Sequence, residues 1–345
     1  MLVNNPDWRP PVAAACTTSH GNILHCTRRI GMIPRDIYMP LSPDRLRDAL
    51  TGVIGFPVTP FRPDLSVDLD GLKDNLRAML ASPMAAIVAA GGTGELYSLA
   101  PSEHLAVVKA VVDETRGKVP VIAGTGYNVA IGTELARQAA AAGADGILAF
   151  PPYYPGAEED GLLQYYTAIG AATPLGLLIY SRDWFHPGAA MVKRLTTIPT
   201  LVGWKDGQGD IRRLQIIRQH VGSRLRWIGG AGDDMVPAYY ATGIRAFTSS
   251  VSNVSPQMAL QLHEAGSQGD SATLERLMTD YVVPLYALRG RRKGHEVTVM
   301  KELMTMIGLT GGAVRPPLVP LRPEEVEELR ALAPAWQNTR TLAGR

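Results

Sequence analysis

The chain is predicted to be an α/β protein, a (β/α)₈ TIM barrel with a C-terminal helical appendage. Two observations carry that expectation. From residue 52 onward short apolar runs alternate with amphipathic helical stretches, and eight such pairs fit into about 215 residues, the length that closes a barrel of this kind. After residue 268 the alternation stops and only helical patterning follows.

The apolar runs are Val53 to Pro57, Ala86 to Ala90, Pro120 to Gly124, Gly146 to Phe150, Leu175 to Tyr180, Leu201 to Lys205, Leu225 to Gly229 and Ile244 to Thr248. Between them, helical spacing occupies 70–81, 102–116, 131–142, 158–172, 188–197, 210–220, 233–241 and 255–265. Helix starts are marked: Ser102 precedes Glu103, Asp210 opens Ile-Arg-Arg-Leu, and Ser255 is followed by Pro256. Strands alternating with helices imply parallel pairing, because each crossover returns the chain to the same edge of the sheet. An open doubly wound sheet would show a Gly-x-Gly-x-x-Gly turn after its first strand. Here that strand runs into Phe56-Pro57-Val58-Thr59-Pro60.

Three helical segments follow, near 269–288, 293–308 and 322–333. The second carries Met300, Leu303, Met304 and Ile307 on one face, a pattern of packing more than of cofactor binding. These helices are expected to pack on the barrel or on a neighbouring subunit without chemistry of their own. The expected division is thus 1–44, 45–268 and 269–345.

The 345 residues are 46% hydrophobic with a net charge of +2, so the chain can bury a large core and shows no basic footprint for nucleic acid. No apolar run approaches the ~20 residues that span a membrane. Residues 1–44 lack periodicity and read as an irregular extension, with Met32 and Met39 as alternative starts. Val12-Ala-Ala-Ala-Cys16 resembles a lipoprotein cleavage site but has no continuous apolar segment before it. Cys16, His20, His25 and Cys26 lie close together, yet their order does not match common zinc spacings, so no metal is expected. No cysteine follows Cys26, which suits a reducing cytoplasm.

The stretch with most chemistry is Leu201-Val-Gly-Trp-Lys205-Asp206-Gly-Gln-Gly-Asp210. Its apolar start places Lys205 at the carboxyl end of a buried strand. A desolvated amine is partly neutral and nucleophilic towards a carbonyl carbon. The plain alternative is a lysine whose stem packs under a loop while its ammonium reaches water.

Barrel chemistry sits on the loops that follow the strands. After the second comes Gly91-Gly92-Thr93-Gly94-Glu95, which reads as a carboxylate or phosphate cradle, although a tight turn needs glycine anyway. After the fourth comes Tyr154, a candidate proton relay or a packed ring. After the fifth, Arg182 is placed to clamp an acid group, or simply to pair with Asp183. The seventh and eighth supply Gly230, Ser250 and Asn253. An amine, a phenol, an arginine, an anion cradle and hydroxyls at one end of one barrel favour a small anionic carbonyl substrate.

Gly91-Gly-Thr-Gly-Glu95, Pro152-Tyr-Tyr154, Leu178-Ile-Tyr180 and Gly203-Trp-Lys205 resemble, in order and spacing, the dihydrodipicolinate synthase and N-acetylneuraminate lyase family of Schiff-base barrels. The resemblance covers about residues 46–333. It implies that Lys205 forms the imine, that Gly92, Thr93 and Gly94 hold the α-carboxylate, and that Tyr154 is the catalytic tyrosine. Lys205-Asp-Gly-x-Gly-Asp210, Tyr180-x-Arg182-Asp183, Arg291-x-Lys293-Gly294 and Gly312-x-Val-Arg315-Pro-Pro-Leu318 most resemble a branch that dehydrates and decarboxylates a keto-deoxy sugar diacid. Other branches split or build keto acids. No cofactor is implied, and the resemblance suggests a homo-oligomer, tetramer or dimer.

Overall fold

The computed structural model describes residues 39–341. The Cys16 to Cys26 segment considered as a metal site lies outside them. Helix α1 (Pro43–Ala49) precedes eight strands, β1 (Gly52–Gly55), β2 (Ala86–Ala89), β3 (Val121–Tyr127), β4 (Gly146–Pro152), β5 (Gly176–Ser181), β6 (Leu201–Asp206), β7 (Arg226–Gly229) and β8 (Ala246–Ser249). They close in chain order into a parallel barrel, with β1 beside β8 from Gly52 opposite Ala246 to Gly55 opposite Ser249. Helices α2 (Leu69–Leu80), α3 (Pro101–Thr115), α4 (Val129–Ala141), α5 (Glu159–Ala171), α6 (Ala189–Leu195), α7 (Ile211–Val221), α8 (Val236–Ala241) and α9 (Pro256–Gln268) follow the strands in turn.

The strands are apolar on both faces because one face fills the barrel and the other is covered by helices. Every residue of β6, for example, is buried. Side-chain caps set the helix starts: Asp68 accepts from Gly71 N, Asn128 from Ile131 N, Asp210 from Arg213 N and Ser255 from Met258 N. Each such cap contributes about 1 kcal/mol. The start expected at Ser102 differs, since α3 begins at Pro101 and Glu103 turns back to accept the Ala100 N–H at 2.9 Å.

Helix α1 lies partly in the stretch expected to be irregular. Ser42 caps it, and Leu46 and Leu50 are fully buried. Leu46 packs where side chains on β4 and β5 would otherwise stand: a Cβ on Gly146 or Gly176 would come within 2.6 or 2.8 Å of its Cδ2. The helix therefore packs on the amino-terminal ends of β4 and β5, so residues 43 and 44 belong with the barrel.

Beyond the barrel, α10 (Ser271–Leu277) passes through one π turn, Met278–Val282, into α11 (Val283–Arg289). Pro284 has no N–H and its ring crowds the carbonyl four residues back. The Val283 N–H reaches the Met278 carbonyl, five residues away, and this wide turn resets the helix phase before Tyr286 and Arg289. Then come α12 (His295–Met306), with Met300, Leu303 and Met304 fully buried, and α13 (Pro323–Thr341). Among the described residues no helix is long and apolar enough to cross a membrane.

Candidate active site

Lys205 stands at the carboxyl end of β6 and is 2% exposed. Its register partner on β5 is Tyr180. The amine donates to the Gly230 carbonyl at 3.0 Å, and its nitrogen lies 3.2 Å from the centroid of the Tyr180 ring and 5.1 Å from that of Phe56. Burial drives the lysine well below its ordinary pKa, the positive Arg182 adds to the effect, and Asp206 opposes it. Burial thus shifts the balance towards the neutral amine. Gly230 makes room for it, because a Cβ there would come within 2.5 Å of Lys205 Cγ.

The amine opens on a cavity of about 460 Å³ whose walls include Gly92, Thr93, Arg182, Gly230 and Ser250. The glycine turn is closed by Glu95 N–H on the Gly92 carbonyl and Leu96 N–H on the Gly91 carbonyl. It is flanked by two non-glycine residues in left-handed conformation, Ala90 at φ 49° and Glu95 at φ 53°. Such backbone persists only where its surroundings hold it. Here Glu95 forms a buried ion pair with Lys301 of α12, and Lys301 also donates to the Ala313 carbonyl at 2.8 Å. Arg182 bonds Asp183 at 2.7 Å and lies against the turn, its Nη1 2.9 Å from where a Cβ on Gly92 would be.

Three expected site residues are placed differently. Gly94 sits behind the turn, its carbonyl bonded by Thr59 Oγ1 at 2.8 Å, and does not line the cavity. Asn253 is committed to backbone: its Oδ1 accepts from Val58 N, and its Nδ2 donates to the Phe56 and Ser250 carbonyls. It ties the loop after β1 to the loop after β8. Tyr154 is 78% exposed and lines a separate groove with Tyr127, Val129 and Ile131. Strand β4 continues to Pro152, so the tyrosine pair begins only beyond the rim.

The phenol beside Lys205 is instead Tyr180. It is 9% exposed, donates to the Gly230 carbonyl at 3.4 Å and is held edge-on by Phe150. Burial raises its pKa, so the group stays protonated. The signal for it was present in the sequence, since Tyr180 ends the fifth run at the level where Lys205 ends the sixth.

The C-terminal helices also depart from expectation. Tyr286 and Arg289 of α11, with Lys293 just beyond, line the same cavity as Lys205. The Tyr286 hydroxyl donates to Asp233 Oδ2 at 2.8 Å. Asp233, fully buried, also accepts from the N–H of Ser250 at 3.1 Å, so α11 is locked to the loops after β7 and β8. Among the described residues no group of His, Cys, Asp or Glu is arranged to hold a metal ion.

A closed parallel barrel with a dry lysine and a glycine turn at its carboxyl-terminal mouth belongs to the (β/α)₈ class whose sites are built on the strand-end loops. The chain is a member of the dihydrodipicolinate synthetase family, which matches residues 49–335. A protein of Bradyrhizobium diazoefficiens called probable 5-dehydro-4-deoxyglucarate dehydratase is 40% identical over 310 residues, 88% of this chain and 99% of that one. One of the same name from Ralstonia nicotianae is 38% identical over 296 residues, 85% of this chain and 95% of that one. Among solved structures, dihydrodipicolinate synthase from Bacillus clausii superposes with a TM-score of 0.81 at 30% identity, covering 85% of this chain and 99% of that one. The synthase from Oceanobacillus iheyensis gives 0.81 at 31% identity, covering 86% and 99%.

Proposed function

We propose that this chain is a Schiff-base lyase that converts 5-dehydro-4-deoxyglucarate to 2,5-dioxopentanoate, carbon dioxide and water. The dry amine of Lys205, its pKa pulled down by burial, carries this reading. The names of the relatives support the substrate, and a cavity with a glycine turn and several cations suits a diacid.

Lys205 attacks the keto carbon next to one carboxylate, and water leaves as the imine forms. That carboxylate rests on the Gly92 and Thr93 turn beside Arg182. The iminium is an electron sink, so the neighbouring methylene passes a proton to the water released at imine formation and an enamine forms. The enamine expels the hydroxyl on the next carbon, with Tyr180 positioned to protonate it as water departs. The bond to the distal carboxylate then breaks, its electron pair runs through the conjugated chain to the iminium nitrogen, and carbon dioxide leaves. Reprotonation and hydrolysis free the product and restore the amine. Thr248 and Ser250, which line the cavity, are neutral donors for the substrate hydroxyls.

Borohydride reduction in the presence of the diacid is expected to fix a mass adduct on Lys205, with carbon dioxide released in the unreduced reaction. Full turnover by Lys205→Met would end the proposal. Release of pyruvate in place of carbon dioxide would move the chain to an aldolase activity. A homo-oligomer is part of the same reading, supported by the exposed apolar groove where Tyr153 is 88% and Tyr154 78% exposed.

A further inference from the structure

One cation in the cavity, within the field of Asp234, has a guanidinium nitrogen without a hydrogen bond. Arg289, the last residue of α11, is 6% exposed, and its Nη1 is buried without a hydrogen-bond partner among the described residues. Neighbouring guanidinium groups are engaged, Arg182 with Asp183 and Arg292 with Glu325, each at 2.7 Å. Arg289 is held in place nonetheless. Its Nε donates to the Glu296 carbonyl at 3.2 Å, and its guanidinium carbon lies 4.3 Å from the centroid of Tyr286, which Asp233 anchors. A buried donor left unpaired costs on the order of 1–3 kcal/mol, more when charged, so a fixed and unsatisfied guanidinium facing a cavity calls for an acceptor from outside the chain.

Its place relative to Lys205 follows from the loop after β7, since both residues line one cavity. A Cβ on Gly230 would meet Lys205 Cγ at 2.5 Å, and one on Gly232 would meet Tyr286 Cε1 at 2.6 Å. Lys205 and the Tyr286 ring on which Arg289 stacks thus pack against the same short loop. A keto carbon bonded to Lys205 and a carboxylate four carbon–carbon bonds away span about 5 Å, plus the reach of the carboxylate oxygens. The cavity wall thus carries the Gly92 turn, the Lys205 amine and, on the C-terminal helix, the Arg289 guanidinium.

We infer that Arg289 forms a second carboxylate subsite, which makes the cavity selective for six-carbon dicarboxylates over the matching monocarboxylates. This rests on the diacid reading above and names the residue that would enforce it. Because a cation on the distal carboxylate stabilises the ground state and opposes loss of carbon dioxide, the subsite serves binding more than bond breaking.

The test measures binding of two unreactive probes by calorimetry, glucarate with two carboxylates and gluconate with one. The wild-type protein is expected to bind glucarate at least about tenfold more tightly, the scale of one charge-assisted hydrogen bond. In Arg289→Gln that preference should shrink to within about threefold while gluconate affinity stays unchanged, which also reports an intact fold. Should that variant fail to bind gluconate, Arg289→Lys decides, because a lysine cannot keep the Nε bond to Glu296 and should lose several-fold of the preference. Undiminished preference in the informative variant, or none in the wild type, overturns the subsite. Borohydride trapping with pyruvate on Lys205 runs in parallel. If the wild type traps nothing, the imine reading fails, while the glucarate comparison still decides the role of Arg289.

Discussion

Tyr180 and Lys205 are register partners on adjacent parallel strands, and the lysine nitrogen lies 3.2 Å from the centre of the phenol ring. The ring face and the Gly230 carbonyl leave the amine little water, and the same phenol is a proton donor beside it. Removing only the hydroxyl separates the two roles. Tyr180→Phe should still trap pyruvate on Lys205 under borohydride, while turnover falls by about 10²–10⁴, the range of one general acid. Equal loss of trapping and turnover would reduce Tyr180 to a packing residue.

Lys205 should cost stability at neutral pH. Its folded pKa is depressed by burial, so between that value and the ordinary lysine range the unfolded chain binds a proton that the folded chain does not. Stability from this group therefore rises with pH and is lost as pH falls. Lys205→Met removes the penalty and should melt higher at pH 7, on the order of 1–2 kcal/mol, with the advantage shrinking towards pH 10. Thermal melts of both proteins across that range check the sign.

The Glu95–Lys301 pair is buried on both sides, each side chain 2% exposed. Burial pulls Glu95 upward and Lys301 downward in pKa, and their mutual attraction opposes both shifts. Removing one partner strands a charge under the glycine turn, so Lys301→Met should cost about 3–5 kcal/mol and raise KM through the disturbed turn. Adding Glu95→Leu should recover a large part of the stability but not the KM, because left-handed backbone at residue 95 would lose its tether. Denaturant unfolding and steady-state kinetics of the two variants report these separately.

Tyr153 and Tyr154 are exposed in a groove with Val129 and Ile131, far more than large apolar rings usually are. Replacing both tyrosines with serine should lower the mass measured by light scattering if this face joins two copies. An unchanged mass would place any assembly surface elsewhere.

Much of the site was legible because strand-end position follows from hydrophobic patterning. The apolar run Leu201 to Trp204 followed by Lys205 sets the amine at the rim of a parallel barrel, and Gly91 to Gly94 after the second run sets a glycine turn there too. Patterning does not say which of several aromatic residues near a rim faces inward. Tyr154 and Tyr180 both follow apolar runs, but β4 extends past its expected end while Tyr180 closes β5 level with Lys205. Asn253 likewise carried the right chemistry in the right loop, and only packing shows its amide spent on backbone.

The order of strands and helices, the barrel and the rim lysine were determined by the sequence alone, since alternation and burial are local properties of the chain. The state of that lysine, its tyrosine partner, the Lys301 tether and the approach of Arg289 were decided only in the tertiary structure. Each depends on elements that close on one another from distant parts of the chain, and the desolvation they produce together has no local signature.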